Sequence, residues 1–371
     1  MKICIIMKSP KKNDDPLLDQ LRNVISPFSD SIYLISPNFS GFLKIRDELR
    51  LKNGGNRGNV ANYVPHGFKN LCVQLFITFE VLMNTDIYDL VLFYTGARSL
   101  FLPALASRLL GKKIVCIYTG SSYKQTLAKN QRFYASIGWC FEKVMLNLSD
   151  IIVVYAESCV KDFGLCPYIN KIDIGHEHFV DLHRFMIEKS IGERENMVGF
   201  IGRLSGEKGI LNFVTAIPKV LKTRGDVRFL IGGEGYLRGK IEESLKKWKL
   251  TDKVETMGWI PHDNLPKYLN DLKLLVIPSH TEAGPLIAFE AMACGTPVLG
   301  SRVGMMQDII VSGKNGFLLE NNSAECIAKN ILEILDRKDL HEISENGRRT
   351  VEKNFTYEIA VKRYKEILES I

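Results

Sequence analysis

Short runs rich in β-branched residues alternate with longer amphipathic stretches along most of this chain. The rhythm breaks once, at the polar stretch Glu188 to Asn196, and then starts again. Such alternation marks βα units that wind a parallel sheet. In the first half it predicts strands at Lys2–Ile6, Ser31–Ile35, Leu90–Phe93, Lys113–Ile117 and Ile151–Val154. Helices are expected near Pro16–Ile25, Leu71–Met83, Ser99–Leu110 and Phe133–Leu148. The second half predicts strands at Val198–Gly202, Arg228–Ile231, Val254–Thr256, Leu274–Ile277, Val298–Gly300 and Gly316–Leu318, with helices between them. From Ser323 onward the pattern is almost all helical. Two such arrays in 371 residues imply two doubly wound α/β domains facing each other across a cleft. The expected boundaries are 1–187 and 188–354, with a closing helical segment at 355–371.

Composition narrows the class. A chain with 46% hydrophobic and 25% charged residues is of the soluble globular type. Its most apolar early run, Leu71 to Met83, is interrupted by Gln74 and Glu80 and reads as a core helix rather than a membrane span. The start, MKICIIMKSPKK, reads as a first buried strand rather than a leader, so a cytoplasmic location is expected. Eight scattered cysteines without a CxxC pattern fit buried, reduced thiols better than a metal site or a disulfide framework. His176-Glu177-His178 has chelating side chains but lacks a convincing third ligand.

The net charge of +7 is concentrated in the first half, where residues 1–187 carry 22 Lys and Arg against 16 Asp and Glu. Within it, Lys44 to Arg57 gathers the basic side chains Lys44, Arg46, Arg50, Lys52 and Arg57. A basic surface meets anionic lipid head groups, an anionic acceptor or nucleic acid; a solvated loop is the other reading.

Three loops in the second half follow predicted strands. In Gly202-Arg203-Leu204-Ser205-Gly206-Glu207-Lys208-Gly209, Arg203 is at the strand exit and Lys208 at the expected first turn of a helix. Two cations so placed either grip one diphosphate or are surface charge on a tight turn. Ile231-Gly232-Gly233-Glu234-Gly235 cradles a phosphate or permits close backbone approach. It does not complete a dinucleotide fingerprint, because Arg238 stands where the third glycine belongs. The third loop runs from Pro278 to Pro297 and holds Glu282 in a polar turn, with Pro285 at an expected first helical position. The helix start, with N–H groups at Leu286 and Ile287, suits an anion. Glu290 lies amid Phe289, Ala291, Met292 and Ala293, where an unpartnered carboxylate is costly, and this tips the segment toward function.

The order GRLxxxKG, then GGEG, then Glu282-x7-Glu290 closing on EAMACGTPV resembles the retaining glycosyltransferases of family 4, which have the GT-B fold. The resemblance is dense from about Met197 through Leu319 and thinner toward both ends, where His178–Phe185 and the segment from Phe355 onward are also similar. It implies that Arg203 and Lys208 hold a donor diphosphate. Glu290 then binds the donor ribose and Glu282 the transferred sugar, with Arg203, Lys208 and Glu282 carrying the catalysis. Backbone at Gly284, Pro285, Leu286 and Ile287 lies along the sugar and distal phosphate, Gly202 and Gly233 border the site, and Met257-Gly258-Trp259-Ile260 faces the nucleobase.

The first half departs from the family pattern. Many relatives have a Gly-Gly loop after the first strand, where this chain has Met7-Lys8-Ser9-Pro10. Many place a His after the Lys113–Ile117 strand, where this chain has Thr119-Gly120-Ser121. Lys8, Ser9, Thr119, Gly120 and Ser121 are therefore the acceptor-side candidates. The expected reaction is metal-independent and uses no cofactor, because two cations and a helix end neutralise the leaving diphosphate. The implied partners are a nucleotide-sugar and a glycan, lipid or small-molecule acceptor, with peripheral contact to an anionic membrane and no nucleic acid. A nucleotide-sugar epimerase and a non-catalytic nucleotide-sugar binding protein are the rival readings, with a dinucleotide-dependent oxidoreductase behind them.

Overall fold

The computed structural model describes residues 1–7, 16–36, 39–43, 66–94, 100–120 and 132–371. Contacts divide the chain into two compact units. The first comprises Met1–Tyr155, Phe163–Glu177 and Ala360–Ile371; the second comprises Ala156–Asp162 and His178–Ile359. The expected boundary at 187/188 falls inside the second unit.

The first unit is built on strands β1 (Lys2–Met7), β2 (Ser31–Ser36), β3 (Phe39–Leu43), β4 (Leu90–Tyr94), β5 (Lys113–Ile117), β6 (Ile151–Val154) and β7 (Ile172–Ile174). They form one sheet in the order β3-β2-β1-β4-β5-β6-β7. All pairs are parallel except β2 with β3. Helices α1 (Pro16–Ile25), α2 (His66–Met83), α3 (Phe101–Leu109) and α4 (Arg132–Leu148) connect the strands. Near-continuous burial of Ile3 to Met7, Leu90 to Tyr94 and Ile114 to Ile117 is what a parallel strand covered on both faces requires. Strands β3 and β7 were not expected from the sequence: β3 is an antiparallel edge and β7 has only three residues.

Helix α2 corrects one expectation. It does not lie wholly in a core: Ile77 and Val81 are buried, but Leu71, Leu75, Phe76, Phe79, Leu82 and Met83 are exposed. The thiols are also mixed. All eight are free; Cys4, Cys116, Cys159 and Cys294 are buried, whereas Cys72, Cys140 and Cys166 are exposed and Cys326 is half-buried. Glu177, in the suspected chelating triplet, is fully buried and accepts hydrogen bonds from Tyr94 (2.7 Å), Tyr155 (2.5 Å) and Tyr364 (3.1 Å). Three phenols offset the desolvation of this carboxylate.

The second unit begins with α5 (Glu157–Asp162) and holds β8 (Met197–Ile201), α6 (Ile210–Thr223), β9 (Arg228–Gly232), α7 (Arg238–Lys247) and β10 (Val254–Gly258). There follow α8 (Leu265–Asp271), β11 (Leu274–Ile277), α9 (Leu286–Ala293), β12 (Val298–Ser301), α10 (Met306–Ile309), β13 (Phe317–Leu319), α11 (Ala324–Leu335) and α12 (Leu340–Asn354). The last helix, α13 (Tyr357–Glu369), runs from this unit into the first. The parallel sheet has the order β10-β9-β8-β11-β12-β13, the Rossmann arrangement. Its core contains Phe200, Phe213 and Phe229, whose rings meet at centroid distances of 5.9 and 6.0 Å. Strand order reverses between β8 and β11, so the loops after these two strands open side by side at the carboxyl edge.

Candidate functional site

Gly202 to Gly209 leaves β8 at that switch point. It forms a 3-10 turn at Gly206–Lys208, and α6 starts only at Ile210. Lys208 is therefore in the turn before the helix, not in the helix's own first turn. The cause is Gly209, whose φ of +68° ends the turn; a Cβ there would lie 1.9 Å from the Pro278 carbonyl oxygen. The close approach joins the β8 loop to the β11 loop, and the Glu207 carbonyl accepts the His280 N–H at 2.8 Å.

In the GGEG loop after β9 the glycines permit a close backbone approach. Gly233 has φ +125°, and a Cβ would meet the Gly202 carbonyl oxygen at 1.9 Å. Gly202 N–H donates to Gly232 O at 3.0 Å and Leu204 N–H to Glu234 O at 2.9 Å, so the two loops run together. The Tyr236 hydroxyl accepts the Gly206 N–H at 2.9 Å. Asn322 braces the β11 loop, donating to Pro278 O (3.1 Å) and Ser279 O (3.0 Å) while its side-chain oxygen accepts from Ser301.

These loops bring Lys208 and Glu282 into direct contact. Nζ lies 2.5 Å from Oε2, with the two side chains 26% and 12% exposed, and Ser279 donates to the same oxygen at 3.3 Å. Arg203 is exposed and pairs with Glu207 at 3.3 Å. Burial raises the Glu207 carboxyl, but the Ser205 hydroxyl at 2.7 Å, a backbone hydrogen bond, Arg203 and Lys208 together hold it below the usual carboxylate range. Each of the two cations thus already has a carboxylate partner from the same loops.

Pro285 is the residue before α9, with β-region backbone, rather than the first helical residue. The helix then offers the N–H groups of its first turn, Leu286 and Ile287, which have no carbonyl partner within the helix itself. Gly284, Leu286 and Ile287 are half-buried. About one turn on, Glu290 is buried and meets Nε2 of the exposed His262 at 2.6 Å. His262 follows β10 in the Pro261–Asn264 turn, its ring 5.3 Å from that of Phe185. The far end of α9 is pinned by two arginines. Buried Arg194 donates to the carbonyls of Cys294 (2.6 Å) and Leu272 (2.9 Å) and to Thr296 Oγ1 (2.7 Å), and Arg348 donates to Ala293 O at 2.6 Å. Burial pushes Arg194 down to about 10, so it remains cationic at neutral pH where the negative end of the helix favours it.

The Trp259 ring is 75% exposed, whereas Ile260 is buried near Gly232. Thr119 and Gly120 lie half-buried just beyond β5 in the first unit. Lys8, Ser9 and Ser121, and the basic segment Lys44 to Arg57, lie outside the described residues. Sequence reasoning missed Glu207 and His262 as partners of site residues. Glu207 was inside a motif already singled out, but nothing local ties His262 to Glu290, 28 positions away. Among the described residues no three His, Cys, Asp or Glu side chains converge as a metal-binding group, and no helix is long and apolar enough to cross a membrane.

The model of the family "Glycosyl transferases group 1" matches residues 184–350 of this chain. An uncharacterised glycosyltransferase of Methanocaldococcus jannaschii is 31% identical over 173 residues, 46% of this chain and 47% of the relative. The N-acetyl-alpha-D-glucosaminyl L-malate synthase of Bacillus anthracis is 29% identical over 50% of this chain and 49% of its own. The chain spans about half the length of the curated relatives it matches. Among solved structures, Anabaena HepE in complex with UDP superposes with a TM-score of 0.76 at 17% identity, covering 100% of both chains. Sucrose-phosphate synthase from Thermosynechococcus elongatus gives 0.77 at 19% identity, covering 100% of this chain and 98% of the other. The architecture is GT-B-like. Two Rossmann-like units of parallel sheet flanked by helices, as the sequence led one to expect, are common to this chain and those structures.

Proposed function

We propose that this chain is a retaining, metal-independent glycosyltransferase of family 4 that moves a sugar from a nucleotide-sugar to an acceptor hydroxyl. The observation that carries the proposal is the convergence of Arg203, Lys208, Glu282 and the start of α9 at the switch point of the second unit. A diphosphate entering there exchanges Glu207 and Glu282 for its own oxygens as partners of the two cations. The first-turn amides of Leu286 and Ile287 add an uncharged anion subsite. Glu282, released from Lys208, is then an acceptor for sugar hydroxyls, while Glu290 takes the ribose hydroxyls with His262 steadying its other contacts. Gly202 and Gly233 keep the adjoining backbone close, and the nucleobase lies along the backbone of Trp259 and Ile260.

In this scheme the bond from the anomeric carbon to the leaving phosphate oxygen breaks as the acceptor oxygen bonds from the same face. The departing phosphate oxygen takes the acceptor proton. Fixed cations stabilise the charge developing on the diphosphate without reorganising during the step. Thr119 and Gly120, with Lys8, Ser9 and Ser121, are proposed for the acceptor on the sequence resemblance, and the product is an envelope polysaccharide, glycolipid or other glycan.

HepE has been crystallised with UDP and with UDP-glucose, so uridine donors come first in a test. Thermal shifts against a panel of nucleotide-sugars are expected to single out one base and sugar. Release of the nucleoside diphosphate with acceptor extracts, in the presence of EDTA, then reports transfer. Absence of any shift across the panel, or activity restored from zero by magnesium or manganese, would refute the corresponding part of the proposal.

A further inference from the structure

The chain leaves the first unit after Tyr155, gives α5 to the second unit, and is back in the first at Phe163. With 6 residues, α5 is too short to be held by its own hydrogen bonds. Its hold comes from the loop between β12 and α10. Ser158 and Asp162 stand four positions apart, on one face of the helix. The Ser158 hydroxyl donates to Gly304 O at 2.9 Å, and Asp162 Oδ2 accepts the Gly304 N–H at 3.3 Å. The same Asp162 oxygen accepts Gln307 Nε2 at 3.0 Å, and the Ser158 N–H donates to the Asp308 carboxylate at 3.0 Å. One residue, Gly304, is thus gripped at both its N–H and its carbonyl.

Gly304 is also where this loop comes closest to Glu282. Its φ is +53°, and a Cβ there would run into the carbonyl oxygens of Glu282 and Ala283. The next residue, Met305, donates its N–H to Ala283 O at 2.8 Å. From α5 itself, the buried Cys159 thiol lies 4.0 Å from that same oxygen. The backbone of Glu282 and Ala283 therefore rests on a loop whose place is set by two polar side chains of α5. Glu282 is 12% exposed and pairs with Lys208 at 2.5 Å, so the aim of its carboxylate follows its backbone closely.

We propose that Ser158 and Asp162 are positioning residues for Glu282: α5 fixes Gly304, and Gly304 fixes the Glu282 turn. The inference rests on the reading of Glu282 as the acceptor for hydroxyls of the transferred sugar. A reacting group misplaced by about 1 Å costs on the order of a hundredfold in rate, so two hydrogen bonds behind the turn have a measurable effect.

The test measures nucleoside diphosphate release from UDP-glucose, UDP-N-acetylglucosamine and GDP-mannose, with UDP and GDP binding by calorimetry. Asp162→Ala is expected to lower kcat roughly tenfold, with KM and nucleotide affinity nearly unchanged. Asp162→Asn keeps an acceptor oxygen and is expected to recover most of the rate. In a Glu282→Gln background, Asp162→Ala is expected to cost no more than about a further twofold, because the group it positions is already disabled. Should Asp162→Ala melt early, Ser158→Ala takes its place in the same cycle, with Ser158→Thr as the conservative variant. Native kcat in the folded variants overturns the proposal, as does an undiminished loss in the Glu282→Gln background or a parallel loss of nucleotide affinity. A wild-type protein that binds neither nucleotide and turns over none of the three donors instead removes the reading of Glu282, and this inference with it.

Discussion

Replacing Glu282 by glutamine removes one charge and almost no volume, so it isolates the ion pair with Lys208. That pair is short, 2.5 Å, and its side chains are 26% and 12% exposed. A partly screened pair of this kind contributes about 1 kcal/mol net. Any diphosphate that claims Lys208 must first displace the Glu282 carboxylate, so the native affinity for the nucleotide is lowered by that amount. In Glu282→Gln the cost is absent, and affinity for the free nucleoside diphosphate is expected to rise about fivefold. Turnover moves the other way. A carboxylate that accepts sugar hydroxyls contributes about 1.5–3 kcal/mol, so the same variant is expected to lose roughly tenfold or more in kcat/KM with the intact donor. Calorimetry with UDP at low and high salt, beside initial rates with the sugar donor, measures both. The gain in affinity should shrink as salt screens the native pair. Unchanged or weaker nucleotide binding in a variant of native melting temperature would show the reasoning to be wrong.

Glu290→Gln leaves His262 with a weaker partner and is expected to weaken the nucleoside diphosphate itself, by about 1.5–3 kcal/mol, as read by the same calorimetry. Gly209→Ala forces a Cβ toward the Pro278 carbonyl at a positive φ, and a loss of at least about 2 kcal/mol in denaturant unfolding is expected. Arg194→Met strips the buried carbonyls of Leu272 and Cys294 of their donor and should cost about 3 kcal/mol or more by the same method.

The regular fold was open to reading from sequence because parallel strands covered on both faces must be apolar along their length. Thus Leu274–Ile277 appears in the structure with the bounds the pattern predicted. Edge pieces carry no such signal: β3 contains Ser40 and Gly41, and β7 contains Asp173. The exposed side of α2 was misread for a related reason, because an apolar run alone does not say which of its residues the fold covers. At the candidate site the residue types were visible as motifs, but their pairing was not. Glu282 looked like a group for sugar alone until Lys208 was found beside it, 74 positions away in sequence. Likewise the close approach that the GGEG glycines make to the neighbouring loop could not be told from the motif alone.

The hydrogen-bonded cluster around Glu177 has a consequence for how the protein is made. Two of its phenols, Tyr94 and Tyr155, emerge early in synthesis, but the third is Tyr364, and the first unit also takes in Ala360–Ile371. The ribosome therefore releases the entire second unit before the first can be finished. During translation the buried carboxylate waits with an incomplete shell, and β6 and β7 lack the helix that belongs to their unit. The N-terminal Rossmann unit, translated first, is thus completed last, so a chain stopped short of Ala360 has a finished second-unit sheet and an unfinished first unit.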